Sequence, residues 1–389
     1  EKYIEAVSVN YERAEWTILD PRMKADFERL GKVDDGDPQL ASRSLDDKHW
    51  IVAFTRSDGP VRYFHYDRGT QKARFLFTNR TDLENVQLAR MEPVQIKSRD
   101  GLTLVSYLTL PRGVARKGLR PEKSLPLVLL VHGGPWARDR WGYNPLHQLL
   151  ANRGYAVLSV NFRGSTGFGK AFLNAANLQW GRKMHDDLLD AVEWAVAQGI
   201  ADPQKVAIMG GSYGGYATLI GLTLTPDTFA CGIDIVGPSN LNTLIATIPP
   251  YWAAMRKMFA TRVGDPDTEE GRKLLKDRSP LTHVANIKKP LLIAQGKNDP
   301  RVKEAEAEQM VQAMQKNGIP VTYVLFPDEG HGLARPENRL AFYAVTENFL
   351  AHHLGGRAQP IGDAFEGASI TIPNGAEEVP SLDKALSAD

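Results

Sequence analysis

"MGGSYGGY", residues 209–216, sets one serine among four glycines directly after the apolar run Val206-Ala207-Ile208. Glycine weakens helices and strands alike, so a cluster this dense answers a demand of backbone geometry. Gly210-Gly211-Ser212-Tyr213-Gly214 fits G-x-S-x-G, in which a serine rides a sharp turn from a strand into a helix. The turn strains the serine backbone and lifts its Oγ out of the sheet. Side chains two residues before and after the serine would collide, which accounts for Gly210 and Gly214. Residues 205–211 read as the strand and residues 216–224 as the helix, so the required context is present. The five-residue pattern alone is also met by a glycine-rich turn with an incidental serine. Its partners must decide.

The motif calls for an acid after a later strand and a histidine after the last one. "LLIAQGKNDPRV" (291–302) carries Asp299 just past a strand, and "VLFPDEGHGL" (324–333) carries His331 just past the final one. Parallel strands bring their C-terminal ends to one edge of a sheet, where Ser212, Asp299 and His331 can meet. Asp328 and Glu329 rival Asp299 as the acid, but they lie too close in sequence to His331 to approach its Nδ1 easily. An oxyanion hole needs the N–H after the serine, that of Tyr213, and a second from the loop after the strand at 125–131. That loop reads His132-Gly133-Gly134-Pro135.

The rest of the chain supplies the matching frame. With 389 residues it is long enough for two domains. Residues 1–88 form a β-rich segment of short strands with polar turns, interrupted by a helix over 21–31 that Asp20 caps and Gly31 stops. Residues 89–356 open with a hairpin and then alternate buried strands with helices, which means an α/β fold with a mostly parallel sheet covered by helices on both faces. Residues 239–289 insert a helical stretch, and residues 357–389, rich in glycine, alanine and acid, read as a loosely ordered tail.

Other signals are weaker. A net charge of +1 gives no basic field for nucleic acid or anionic lipid, and no apolar run is long enough to span a bilayer. The single cysteine, Cys231, excludes an internal disulfide and a multi-cysteine zinc site, and its apolar surroundings read as core. "GSTGFGKA" (164–171) nearly matches a P-loop, but Ala171 stands where a hydroxyl should hold Mg²⁺, so it reads as a structural turn. His185-Asp186-Asp187 are consecutive and cannot share a helix face; they read as a solvated or capping face rather than a metal site. No cofactor or metal is expected. The chain begins at Glu1 without methionine or an apolar leader, so it reads as a processed or truncated product. The compartment stays open, with the cytoplasm favoured.

"HGGPW", "NFRGSTGFG", "WGRKMHDD", "GGSYGGY", "GKNDPRV" and "EGHG" occur in the order found in the prolyl oligopeptidase (S9) family of serine peptidases, and the chain resembles its acylaminoacyl-peptidase-like branch over roughly 91–355. The resemblance implies an α/β-hydrolase catalytic domain behind an N-terminal β-propeller that screens out large substrates. It implies Ser212 as nucleophile, His331 as base, Asp299 as its orienter, and Tyr213 and Gly134 as oxyanion donors. Val302 and Leu241 match positions that line the family's S1 pocket, and Trp136 of "HGGPW" joins them as a substrate-binding candidate. Only 88 residues precede the hydrolase, enough for about two propeller blades of about 40 residues. Such a piece leaves strand edges exposed, so a homo-oligomer with an open site is expected. Two substrate readings stay open. One is a peptidase acting on peptide or acyl-peptide bonds, the other a carboxylesterase using the same triad. A non-catalytic scaffold is disfavoured because all three triad members are present.

Overall fold

Apolar runs such as Leu125–Val131 and Ala156–Val160 send alternate side chains to opposite faces, so a sheet built from them must be covered on both. The structure is a computed structural model that describes residues 3–248 and 250–386. Nine strands form its main sheet: β1 (Met91–Lys97), β2 (Thr103–Thr109), β3 (Leu125–Val131), β4 (Ala156–Val160), β5 (Ala201–Gly211), β6 (Cys231–Ile235), β7 (Leu291–Gly296), β8 (Thr322–Phe326) and β9 (Thr371–Asn374). Their spatial order is β9-β8-β7-β6-β5-β3-β4-β2-β1. Strands β3 to β8 run parallel, whereas β1, β2 and β9 pair antiparallel at the two ends.

The helices that matter for the site are α1 (Pro145–Asn152), α2 (Lys183–Ala197), α3 (Tyr213–Leu224), α4 (Leu241–Ala246), α5 (Ala253–Arg262), α6 (Glu304–Lys316) and α7 (Pro336–Leu354). Leu127, Leu129, Leu158 and Ile208 pack into one core with α2 and α3. Val128, Val157 and Ala207 pack on the opposite face with α1 and α7. No helix among the described residues is long and apolar enough to cross a membrane.

The N-terminal segment holds one four-stranded antiparallel sheet, Asp37–Arg43, His49–Thr55, Arg62–Asp67 and Lys72–Thr78, with a hairpin of Ala6–Asn10 and Ala14–Ile18 beside it. The helix Pro21–Leu30 starts where expected, with the Asp20 carboxylate accepting the Arg22 N–H at 2.9 Å. The segment has its own core of Trp50, Phe54, Phe64 and Tyr66. It is seated on the hydrolase by Gln148, whose Nε2 donates to the Ala89 and Ser57 carbonyls at 2.9 and 3.2 Å. Arg138 adds a contact from Nη1 to the Asn10 carbonyl at 2.7 Å.

Two sequence expectations fail here. The described part of the tail, 357–386, is not loose. Strand β9 extends the sheet beyond β8, and Ile361, Phe365, Val379 and Leu382 are each 5% exposed or less. Its composition hides this because a few apolar residues, widely spaced, suffice to fill the groove beside α7. Nor is His185-Asp186-Asp187 a solvated face. The Asp187 carboxylate is fully buried and accepts Arg163 Nε and Nη2 at 2.8 and 2.6 Å. His185 is buried too, with Nε2 2.9 Å from Thr225 Oγ1. The loop after β4 folds over the start of α2, so a charged stretch becomes interior and is matched there by a guanidinium. The other edge of Arg163 meets Asp100 at 2.7 and 2.9 Å and holds that carboxyl well below its usual range.

His147 of α1 links two strands of the sheet. Its Nδ1 lies 2.9 Å from Thr109 Oγ1 and its Nε2 2.8 Å from Ser159 Oγ. Burial pushes the imidazole down from 6.5 to about 3, because the charged ring would lose its hydration. Below pH 6.5 the unfolded chain therefore binds a proton that the folded chain refuses, and stability falls as pH falls towards 3. Between pH 7 and 4.5 His147 alone should cost roughly 2 kcal/mol. Urea unfolding of His147→Gln should show a shallower loss over that range; an unchanged slope would show that this ring is not the group that titrates.

Candidate active site

Ser212 joins β5 to α3 with φ 58° and ψ −116°, a conformation few non-glycine residues adopt. The neighbouring backbone explains the glycines. A Cβ on Gly214 would stand 2.1 Å from the Val131 carbonyl oxygen, and one on Gly210 would stand 2.5 Å from the same atom. The serine N–H is held by the Ile235 carbonyl of β6 at 2.8 Å, so the strained turn is fixed from both sides.

Asp299 and His331 sit on the loops after β7 and β8. Asp299 Oδ2 lies 2.7 Å from His331 Nδ1. Its Oδ1 accepts the N–H groups of Arg301 and Val302 at 2.8 and 2.9 Å, which fixes which oxygen faces the ring. The Asp299 side chain is fully buried and that of His331 is 14% exposed. The two loops are tied together. Asn298 N–H donates to the Glu329 carbonyl at 2.9 Å, and Lys297 N–H to that of Phe326 at 3.1 Å.

The rival acids have another task. Glu329 accepts the N–H groups of Ala334 and Arg335 at 2.8 and 2.9 Å. Asn338 of α7 donates to Glu329 Oε1 at 2.8 Å and to Asp328 Oδ1 at 3.0 Å. The Ser369 N–H of the tail donates in turn to Asn338 Oδ1 at 2.9 Å. These carboxylates shape the loop that carries His331 rather than facing its ring.

The loop after β3 lies against the serine. A Cβ on Gly133 would meet the Gly211 carbonyl at 3.0 Å and Ser212 Cβ at 3.4 Å. His132 stacks on Phe162 at 4.4 Å between centroids, with Nε2 2.9 Å from Ser165 Oγ, so the supposed P-loop serves as a brace for this loop. Gly134, at φ 122°, borders the same cavity as Ser212. Tyr213 heads α3, where first-turn N–H groups have no acceptor within the helix.

A cavity of about 380 Å³ opens over these residues, and Ser212, His331, Gly134, Tyr213, Trp136 and Val302 all line it. Leu241 does not. It is fully buried at the start of α4, and Leu244, Thr247 and Ile248 line the wall instead. Sequence reasoning also passed over Trp180, Trp252, Met255, Met258 and Phe259. Phe259 stands edge-on to Trp136 at 5.7 Å, and Trp180 edge-on to Tyr213 at 4.7 Å. The spacing of Trp252, Met255 and Phe259 at i, i+3 and i+7 was a readable signal of one helical face. Among the described lining residues Arg301 carries a permanent charge and no carboxylate contributes. Among the described residues no group of three or more His, Cys, Asp or Glu side chains is arranged to hold a metal ion.

The central parallel sheet, its flanking helices and the serine at the strand–helix turn define an α/β-hydrolase. Residues 141–357 match the model of the prolyl oligopeptidase family. The chain belongs to that family. It is 61% identical over 384 residues to dipeptidyl aminopeptidase BIII of Pseudoxanthomonas mexicana, covering 98% of this chain and 56% of that protein. It is 45% identical to dipeptidyl peptidase family member 6 of Caenorhabditis elegans, over 96% of this chain and 53% of the relative. Among solved structures, a puromycin-hydrolyzing peptidase of Mycobacterium tuberculosis superposes with a TM-score of 0.74 at 26% identity, covering 91% of this chain and 52% of that one. The chain thus spans about half the length of the curated relatives it matches.

Proposed function

We propose that the chain carries the catalytic centre of a serine exopeptidase that cleaves peptide bonds near the substrate N-terminus, after an apolar residue. The pairing of His331 Nδ1 with Asp299 Oδ2 at 2.7 Å, beside a cavity that also exposes Ser212, carries this reading. Ser212 Oγ attacks the scissile carbonyl while His331 Nε2 takes its proton. The carbonyl oxygen becomes an oxyanion held by the Tyr213 and Gly134 N–H groups. The C–N bond breaks as Nε2 returns the proton to the leaving amine. Water, deprotonated by the same nitrogen, then releases the acyl group from Ser212. The names of two curated relatives, dipeptidyl aminopeptidase BIII and dipeptidyl peptidase family member 6, support peptide over ester substrates. No observation favours the carboxylesterase alternative.

The apolar lining supports the choice of side chain. Trp180, Ile248 and Val302 would desolvate a cationic residue, and the described lining offers it no carboxylate. Dipeptidyl nitroanilides ending in Phe or Leu should give kcat/KM at least about 100-fold above those ending in Lys. Assayed in parallel with p-nitrophenyl esters, hydrolysis of esters with no amide cleavage would sink the peptidase reading, and equal rates for Phe and Lys would sink the assigned pocket.

A further inference from the structure

The chain has eight methionines and one cysteine, and their placement is uneven. Met23 and Met91 are 3% exposed, and Met184, Met209, Met310 and Met314 are fully buried, as is Cys231. Only Met255 and Met258 lie outside the cores, and both face the catalytic cavity. Met255 is 38% exposed. Both belong to α5, a helix with no buried residue, whose Phe259 stands edge-on to Trp136 and Trp180 and whose Arg262 Nη1 donates to Asn177 Oδ1 at 2.9 Å.

We infer that Met255 and Met258 are an oxidation site through which peroxide closes the substrate pocket. The inference rests on the pocket assignment made above and adds its regulation. A thioether lone pair attacks one oxygen of the peroxide, the O–O bond breaks, and the other oxygen leaves as water. Sulfur is oxidised by two electrons and the peroxide is reduced by two. The product is a sulfoxide, polar and chiral where a flexible apolar side chain stood. Its S–O dipole joins a wall that also holds Ile248, Leu244 and Phe259, which offer it no hydrogen bond. The apolar part of the substrate then meets a polar wall, while Ser212, His331 and Asp299 keep their geometry. Oxidation should therefore weaken binding and spare the chemistry. The other methionines are shielded by packing, so a dose that modifies α5 leaves the fold intact.

The test treats purified protein with graded hydrogen peroxide and maps oxygen uptake at each methionine by peptide mass spectrometry. Met255 and Met258 should react first, and KM for a Phe-ending dipeptidyl nitroanilide should rise about tenfold with kcat little changed. The Ser212→Ala variant should show a similar loss of affinity for the same peptide, read calorimetrically without turnover. Methionine sulfoxide reductases should restore it. Met255→Leu/Met258→Leu, measured against its own untreated activity, should resist the dose. The proposal is overturned if these two residues take up no oxygen before the buried six. It is also overturned if they are oxidised with KM and affinity unchanged, or if the double variant loses as large a fraction of its own activity. If the untreated protein binds the peptide without cleaving it, the peptidase reading fails, and this one is still decided by the change in affinity.

Discussion

Replacing Ser212 by alanine is expected to lower kcat for peptide hydrolysis by on the order of 10⁴ to 10⁶. The size follows from acting as a unit: without the nucleophile, His331 has no serine proton to accept and its orientation by Asp299 serves nothing. The fold should survive. Alanine at φ 58° carries the same backbone strain as serine, and the side chain faces the cavity rather than the core. The melting temperature should therefore stay within a few degrees while turnover vanishes. A fluorophosphonate should label the wild type at residue 212 and leave the variant unlabelled. Near-normal turnover by the alanine variant would remove Ser212 from the mechanism, and a label on any other peptide would identify the true nucleophile.

Asp299→Asn is expected to cost about 10⁴ in kcat, although it changes only one group. Asp299 Oδ1 already accepts two backbone N–H groups, so the amide oxygen of asparagine must take that place. Its NH₂ then faces His331 Nδ1, where the carboxylate oxygen stood at 2.7 Å. An NH₂ is a donor only, so Nδ1 must become the acceptor and the ring proton moves to Nε2. A ring protonated at Nε2 cannot accept the serine proton. KM should change far less than kcat, since the substituted atom does not line the cavity. A fall below about tenfold in kcat would mean that Asp299 does not set the tautomer.

Legibility in the sequence followed how local the cause of each feature is. The glycines around Ser212 are demanded by atoms a few ångströms away on adjacent strands, so the pattern survives in five letters. Asp299 and His331 follow from strand order alone, because parallel strands deliver their ends to one edge. Leu241 was carried over by position. It turns into the core because α4 is short and shows the cavity its later residues, Leu244 first. Asp187 misled because its partner, Arg163, comes from another element, and no pattern within 185–187 announces a guanidinium. The N-terminal piece was read as about two blades of strand. The helix capped by Asp20 and a two-stranded hairpin take up the length of one, leaving one four-stranded sheet.

The contact between Ser369 and Asn338 has a consequence for the order of events during synthesis. A ribosome delivers β8 before the strand that covers it, since Tyr323 pairs with Asn374 about fifty residues later. Ser212 is made long before, but the loop presenting His331 hangs from Asn338, and Asn338 is held by a residue made later still. A growing chain thus carries Ser212 while the His331 loop lacks this anchor, and the proposed triad is fully supported only once residues 369–374 have docked. On the proposed reading, a nascent chain that has not yet reached residue 369 would hold the serine without a working site and so spare the unfolded chains beside it.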